Sequence, residues 1–208
     1  MENYTDEELV EVIKKWWQEN GKSIIAGLAI GLVVIFGWRY WTAHQKNKAE
    51  QASFHYEMVL QGLAQGNVAQ AKEQSQILLA GYSGSSYATL AALQLAKLAV
   101  TAGDLAGAKD HLERVLDDTD EAAIRDIASL RLARVLFEQG QVEAAEARMQ
   151  EIQDVAFSAE LEELKGDIYL SRNELEKARA AYEAASRAGG SSFLQLKLAN
   201  LPPRTLEN

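Results

Sequence analysis

The stretch Ser23–Trp38, SIIAGLAIGLVVIFGW, determines how the chain is organised. It contains no charged residue and is bounded by Lys22 and Arg39. With its flanks the helix covers residues 22–42, about 31 Å at 1.5 Å per residue, which matches a hydrocarbon core of about 30 Å. Because the run is apolar on every helical face, it differs from the one-sided stripe of a soluble core helix. The sequence therefore predicts one transmembrane helix in the lipid bilayer.

Both edges of this span carry side chains that favour the membrane interface. Trp16 and Trp17 precede it, and Trp38, Tyr40 and Trp41 end or follow it. Amphipathic rings of this kind favour the headgroup level. The alternative is a cleaved signal peptide, but bulky residues stand where a signal peptidase needs small ones. We therefore interpret the span as a retained anchor.

Residues 1–21 are predicted to form an amphipathic leader helix at the membrane surface. Thr5 and Glu8 have the spacing of a capping box, and Gly21 is expected to stop the helix in a left-handed conformation. A disordered terminus is the alternative. The apolar residues that recur at helical spacing are Leu9, Val12, Ile13, Trp16 and Trp17.

Small residues recur along one face of the span. Ser23, Gly27 and Gly31 are four residues apart, a pattern that permits close contact between helices in lipid. Glycines that are merely tolerated in a span are the alternative interpretation. The pattern predicts a membrane helix contact at these three positions.

The rest of the chain is acidic and offers no catalytic pattern. The net charge is −9, and the cations are scattered, so a nucleic-acid partner is disfavoured. Cysteine is absent, and His44, His55 and His111 lie far apart in sequence. Neither a GxGxxG nor a GxxxxGK[ST] phosphate loop occurs. We predict no catalytic residue, no metal site, no cofactor and no enzymatic activity.

Four turns recur beyond the span with spacings of 37, 37 and 33 residues, and each has an alanine five residues after its first position. Glycine or asparagine at that position suits the left-handed end of a helix, and the small residue lets two helices approach. We predict four helix-turn-helix units, with an irregular helical bundle as the alternative. The turns are Gly66-Asn67-Val68, Gly103-Asp104-Leu105, Gly140-Gln141-Val142 and Asn173-Glu174-Leu175, and the alanines are Ala71, Ala108, Ala145 and Ala178.

Two further positions recur around the same turns. Seven residues before each turn stand Val59, Ala96, Ala133 and Gly166, and nine residues after it stand Ser75, Leu112, Met149 and Tyr182. The two longer spacings are attributed to longer loops at 81–86 and 117–121. Ser192 is expected to start a last short helix over 193–201 that covers the exposed end of the stack.

This period, with Gly166-Asp167-Ile168-Tyr169, resembles the tetratricopeptide repeat. The resemblance implies an all-α fold: a right-handed α-solenoid of about four degenerate helix pairs over residues 43–208, with a capping helix. It also implies a concave groove, lined by the first helix of each pair, that binds a partner segment. Carried over residue by residue, the groove positions are Tyr56, Leu60, Leu90, Leu93, Lys97, Ile127, Leu130, Arg134, Phe137 and Asp167.

Around the span the chain resembles one family closely. The segments that carry this likeness are 19–22 (ENGK), 37–41 (GWRYW) with His44-Gln45, and 130–135 (LRLARV). They are similar to the YfgM family, the ancillary subunit of the bacterial Sec translocon. The resemblance implies a bacterial inner-membrane protein with a cytoplasmic leader and a periplasmic repeat domain. Its implied partners are the SecYEG translocon, a membrane-anchored periplasmic chaperone of the prolyl-isomerase type and exported polypeptides.

The expected function is a noncatalytic adaptor that links the channel and exported chains to periplasmic chaperones. One alternative is a membrane-anchored regulator that restrains a cytoplasmic signalling partner, and another is an assembly factor that oligomerises through its span. Charge bias does not decide the orientation, because three cations flank each side of the span. These are Lys14, Lys15 and Lys22 before it and Arg39, Lys46 and Lys48 after it.

Overall fold

The structure is a computed structural model that describes residues 6–190 and 192–202, and every regular element in these ranges is helical. The absence of proline before residue 202 leaves these helices uninterrupted. The α-helices are α1 (Asp6–Ala64), α2 (Val68–Gly81), α3 (Ser86–Thr101), α4 (Leu105–Asp118), α5 (Ala122–Glu138), α6 (Val142–Gln150), α7 (Ser158–Ser171), α8 (Leu175–Arg187) and α9 (Phe193–Asn200). A 3-10 turn, Val155–Phe157, precedes α7.

Helix α1 runs without a break through the position where the sequence predicted a stop. Gly21 lies inside the helix rather than at a left-handed end, so that prediction is wrong. The ring of Trp17 covers the glycine, and a Cβ there would stand 3.1 Å from its Cε2. Glycine costs a helix only about 1 kcal/mol, which neighbouring turns can offset. Thr5 of the expected capping box lies outside the described residues, and the side chain of Glu8 is not described.

The apolar part of α1 confirms that the chain has a segment able to cross a membrane. Among the described residues, this is the one helix long and apolar enough, with a mean hydropathy of 1.8 over an 18-residue window. Its large apolar side chains are exposed, as are the tryptophans at both edges. A helix whose apolar surface meets no protein is suited to lipid.

The chain divides into two compact units, 1–51 and 52–208.

The predicted turns lie where the helices reverse. Gly66, Gly103, Gly140 and Asn173 have φ values of 70°, 77°, 76° and 59°, in the left-handed region that ends a helix. Asn67 and Asp104 then cap the next helix by accepting hydrogen bonds from the backbone N–H of Gln70 and Gly107. All four two-helix hairpins thus turn at a left-handed residue, and a side-chain cap starts the second helix in the first two, whereas Gln141 and Glu174 before α6 and α8 make no such bond.

Longer helices, rather than longer loops, account for the two longer spacings. The connectors before α3 and α5 hold four and three residues, whereas 151–157 before α7 holds seven. The spacing of 33 residues includes this long connector and is still the shortest of the three. It is short because α6 has only 9 residues, against 14 in α2 and α4. The sequence attribution to loops is therefore wrong.

The recurring small positions form the contacts between paired helices. The four alanines after the turns are fully buried, as are the residues seven before and nine after each turn. Gly166 and Tyr182 show the fit most clearly, because a Cβ on the glycine would overlap Cε1 of the tyrosine ring. Close approach of the helices therefore depends on the alanines after the turns and on Ala96, Ala133 and Gly166, against which the larger residues nine after each turn pack.

Helix α9 closes the last helix pair. Leu194 of α9 and Leu201 beyond it are buried against Tyr182 and Ala185 of α8. The helix ends at Asn200, one residue before the predicted end, and Ser192 makes no side-chain capping hydrogen bond. The predicted position of this last helix is otherwise confirmed.

Candidate functional site

An open cleft lies between α3, the start of α4 and α5, with a volume of about 390 Å³. We call it the α3–α5 cleft. Short connections reverse the chain from α3 to α4 and again to α5, so α3 and α5 run in the same direction. The residues that line it are Ala96, Lys97, Val100, Thr101, Leu105, Leu112, Arg131, Arg134, Val135 and Glu138.

Helical spacing brings the polar side chains of the cleft together. On α5, Arg131, Arg134 and Glu138 follow one another at i, i+3 and i+7, so they share one face. On α3, Lys97 and Thr101 are four residues apart, and the Thr101 hydroxyl donates to the Lys97 carbonyl over 2.9 Å. Two parallel helix faces therefore supply the walls of the cleft.

The cations of the cleft donate no hydrogen bond to a helix end within the described residues, unlike two other arginines of the domain. Arg114 donates to the Leu79 carbonyl over 2.9 Å, and Arg125 donates to the Leu116 carbonyl over 2.5 Å, so both bind neighbouring helix ends. The three cleft cations are exposed and form no ion pair with any residue in 6–190 or 192–202. Their donors face solvent, where a ligand can reach them. These cations are Lys97, Arg131 and Arg134.

A second recess, of about 490 Å³, has its charged groups already engaged. Glu146 accepts two hydrogen bonds from Arg172, at 2.7 and 2.9 Å, and this hydrogen bonding lowers the pKa of Glu146. Lys165 pairs with Glu162. The recess therefore lacks the free charge of the α3–α5 cleft. Its lining residues are Glu146, Met149, Gln150, Ile152, Leu161, Lys165, Ile168 and Tyr169.

Of the ten groove residues expected from the sequence, the α3–α5 cleft brings together two, Lys97 and Arg134. Leu93 and Leu130 are each only 6% exposed and lie in the core, outside the lining of this cleft. The half-buried members that pack against core clusters are Tyr56, Leu90, Ile127 and Phe137. Leu60 is exposed and lies outside the cleft lining.

Asp167, the last expected groove residue, is engaged with α8 and α9. It accepts a hydrogen bond from the Tyr182 hydroxyl at 2.7 Å and from Lys197 Nζ at 2.7 Å. Lys197 also pairs with Glu163 at 2.8 Å. Burial lowers the pKa of Lys197, but the hydrogen bonds to both carboxylates outweigh it and leave that pKa raised. Asp167 therefore fastens the capping helix, and its carboxylate is already engaged by two donors.

The sequence interpretation missed Arg131, Val100, Leu105 and Glu138. The sequence did carry one signal for the cleft: Lys97 and Arg134 both stand six residues before a turn glycine, so they occupy the same repeat position. Arg131 is one turn from Arg134 on the same face, so helical spacing alone placed it in the site. Leu105 starts α4, and its approach to the cleft depends on how the hairpin folds back, which no local pattern encodes.

Known proteins show what the chain is similar to. The family model described as a tetratricopeptide repeat-like domain matches residues 14–203. An ancillary SecYEG translocon subunit of Aggregatibacter actinomycetemcomitans is 34% identical over 203 residues, covering 95% of this chain and 99% of the relative. The chain belongs to the ancillary SecYEG translocon subunit family.

Other members of this ancillary subunit family agree with that assignment. The protein of that name from Escherichia coli is 31% identical over 206 residues, covering 97% of this chain and 99% of the relative. The one from Haemophilus influenzae is 37% identical over 94 residues, covering 45% of this chain and 46% of the relative. The family therefore extends over the anchor and the helical domain together.

Proposed function

We propose that this protein is a noncatalytic, membrane-anchored subunit that associates with the SecYEG translocon and binds protein partners through its helical domain. The observation that carries the proposal is the whole-length similarity to proteins named ancillary SecYEG translocon subunit. The apolar segment of α1 supports membrane anchoring. The tetratricopeptide repeat-like match supports an interaction role.

In this proposal the helices beyond the span form a right-handed α-solenoid of four pairs closed by α9. The regular turns and the buried small residues at matching positions support such stacking. Repeat stacks of this kind expose a long surface that suits extended or helical partner segments. Two of the expected groove residues, Lys97 and Arg134, line the α3–α5 cleft. They lie on α3 and α5, which are the first helices of the second and third pairs.

The domain is proposed to stand in the periplasm, with the start of the chain in the cytoplasm. There it would link the channel and exported polypeptides to a membrane-anchored chaperone of the prolyl-isomerase type. Anchoring raises the effective concentration of the domain beside the channel, so even a weak contact captures a neighbouring chain. Enzymatic chemistry is not required for this role.

Copurification with SecYEG tests the proposal. The full chain and a version that starts at Ala52, where the second unit begins, are expressed in membranes with tagged SecYEG. We expect the full chain to copurify and the shortened chain to fold, by circular dichroism, but to be lost from the channel. Equal capture of the shortened chain would contradict the role of the anchor, and no capture of the full chain would remove the proposed association.

The small residues Ser23, Gly27 and Gly31 are proposed to contact another span. Gly27 and Gly31 have no neighbouring atom within 4 Å of a built Cβ, so their surface is open. Gly27→Leu with Gly31→Leu is expected to reduce crosslinking between spans several-fold while membrane insertion persists. Gly37→Leu, equally open, is the matched control. Unchanged crosslinking in the double variant would show that these glycines are only tolerated.

A further inference from the structure

We propose that the α3–α5 cleft binds a short acidic and apolar peptide segment, in which leucine-like side chains lie next to carboxylates. This inference rests on the proposed interaction role and adds the chemistry of the partner. It differs from a broad apolar groove, because the contact is confined to one cleft and needs negative charge in the partner.

The charge of the cleft is opposite to that of the whole chain. The protein has a net charge of −9, yet the cleft gathers Lys97, Arg131 and Arg134 around a single carboxylate, Glu138. The protein as a whole repels acidic segments, so this local excess of positive charge directs them to one place. Complementary charge of this kind selects the partner and its register more than it adds affinity.

The two arginines suit carboxylates better than isolated charges would. A guanidinium presents planar, paired donors that match the two oxygens of a carboxylate, and such charge-assisted bonds are stronger than neutral ones. Neither Arg131 nor Arg134 uses these donors on a described residue. Binding a carboxylate therefore breaks no existing ion pair within the described chain.

The surface between these cations is apolar. Val100 is 46% exposed, and Leu105 and Val135 line the same cleft. An apolar side chain that binds here is removed from water together with the cleft surface that it covers. This burial stabilises the complex by about 25 cal/mol per Å² of apolar area. A volume of about 390 Å³ falls in the range of sites that hold a few side chains rather than a folded domain. The partner is therefore a short segment with both apolar and acidic groups.

The test uses the full chain in nanodiscs of neutral phosphatidylcholine, so that no lipid charge competes. The probe is a capped fluorescent peptide, Gly-Glu-Leu-Glu-Leu-Glu-Gly, with counterparts in which Gln or Lys replaces every Glu, or Ser replaces every Leu. Anisotropy titrations give Kd. We expect the Glu-Leu peptide to bind, and the Gln, Lys and Ser counterparts to bind at least tenfold more weakly.

Protein variants locate the binding. Arg131→Gln with Arg134→Gln is expected to raise Kd about tenfold, which corresponds to about 1.4 kcal/mol, and Val100→Ser to raise it several-fold. Arg187→Gln, an exposed arginine on α8, is the control for loss of an arginine outside the cleft and should leave Kd unchanged, whereas Arg131→Gln alone, which removes the same single charge, should raise it several-fold. Circular dichroism melts of each variant verify folding. Equal loss in the Arg187 variant, or tight binding of the Lys peptide, would overturn the proposal.

Copurification with SecYEG, measured in parallel, separates the two claims. A wild-type chain that copurifies with the channel but does not bind the Glu-Leu peptide refutes the cleft assignment and leaves the proposed function standing. A chain that binds the peptide through the cleft but never associates with SecYEG refutes the proposed function and supports the cleft assignment.

Discussion

The hydroxyl of Ser75 is completely buried and has no hydrogen-bond partner among the described residues. The three residues at the matching repeat position, Leu112, Met149 and Tyr182, are much larger and fill the space between paired helices. A buried hydroxyl without a partner costs stability, because it loses its hydrogen bonds to water. At this repeat position the first helix pair therefore buries an unpaired hydroxyl where the other three pairs bury larger side chains.

Ser75→Ala is expected to raise the free energy of unfolding by about 1 kcal/mol, because it removes the unpaired hydroxyl. Urea unfolding of residues 52–208, followed by circular dichroism, measures the change. A lower stability of the Ser75 variant would show that its hydroxyl is bonded in solution.

Gly166→Ala is expected to lower the free energy of unfolding by about 1–3 kcal/mol, although alanine is the better helix former. The new methyl group would overlap the buried Tyr182 ring, which has no room to move. Gly81→Ala, at the end of α2 with open space around it, is the control and should be neutral or stabilising. Equal stability of both variants would mean that the α7–α8 contact is looser than described.

At the scale of elements, helix α9 is held by charge as well as by apolar contact. Lys197 bridges Asp167 and Glu163 of α7, and its ammonium group lies 5.5 Å from the centre of the Tyr182 ring. Burial, reinforced by the hydrogen bond to Asp167, raises the pKa of Tyr182. The capping helix is therefore sensitive to alkali.

Alkaline unfolding tests this sensitivity. The pKa values of Lys197 and Tyr182 are both raised in the folded protein, so their contribution to stability is full below the ordinary values of 10.5 and 10.0 and is lost as pH rises through the folded values. We expect stability to fall steeply above about pH 10 and Lys197→Met to flatten that fall. At pH 7 this variant is expected to lower the free energy of unfolding by about 1–3 kcal/mol, because two partly buried carboxylates lose their partner. An unchanged alkaline slope would contradict the linkage.

The sequence predicted the helical hairpins because each depends on a local feature. A left-handed residue at Gly66, Gly103, Gly140 or Asn173 ends one helix, and an alanine five residues later permits close packing. The continuation of α1 through Gly21 was not predictable from glycine propensity, because a neighbouring aromatic ring covers the gap. Leu93 and Leu130 were assigned to the groove although they are buried, since repeat position alone does not show how closely neighbouring pairs approach.

At the scale of the whole molecule, the chain combines an apolar helix that suits lipid with a helical domain that, within the part the structure describes, carries the basic α3–α5 cleft. In the proposed role these parts complement each other, because a domain tethered beside the channel would meet partners at high effective concentration and need little intrinsic affinity. The net charge of −9 disfavours contact with acidic segments elsewhere on the protein, so under the proposal the cations of the cleft would direct them to that place. The anchor would set the location, and the cleft would set the choice of partner.

The orientation of the domain is the claim on which this role depends most directly. Val155→Cys introduces a single thiol into a cysteine-free chain at a position that is 84% exposed, and a membrane-impermeant maleimide is applied to intact spheroplasts. We predict labelling before lysis, which places the domain outside the cytoplasm where exported chains emerge. Labelling only after lysis would reverse the topology and contradict the proposed link between the translocon and periplasmic chaperones.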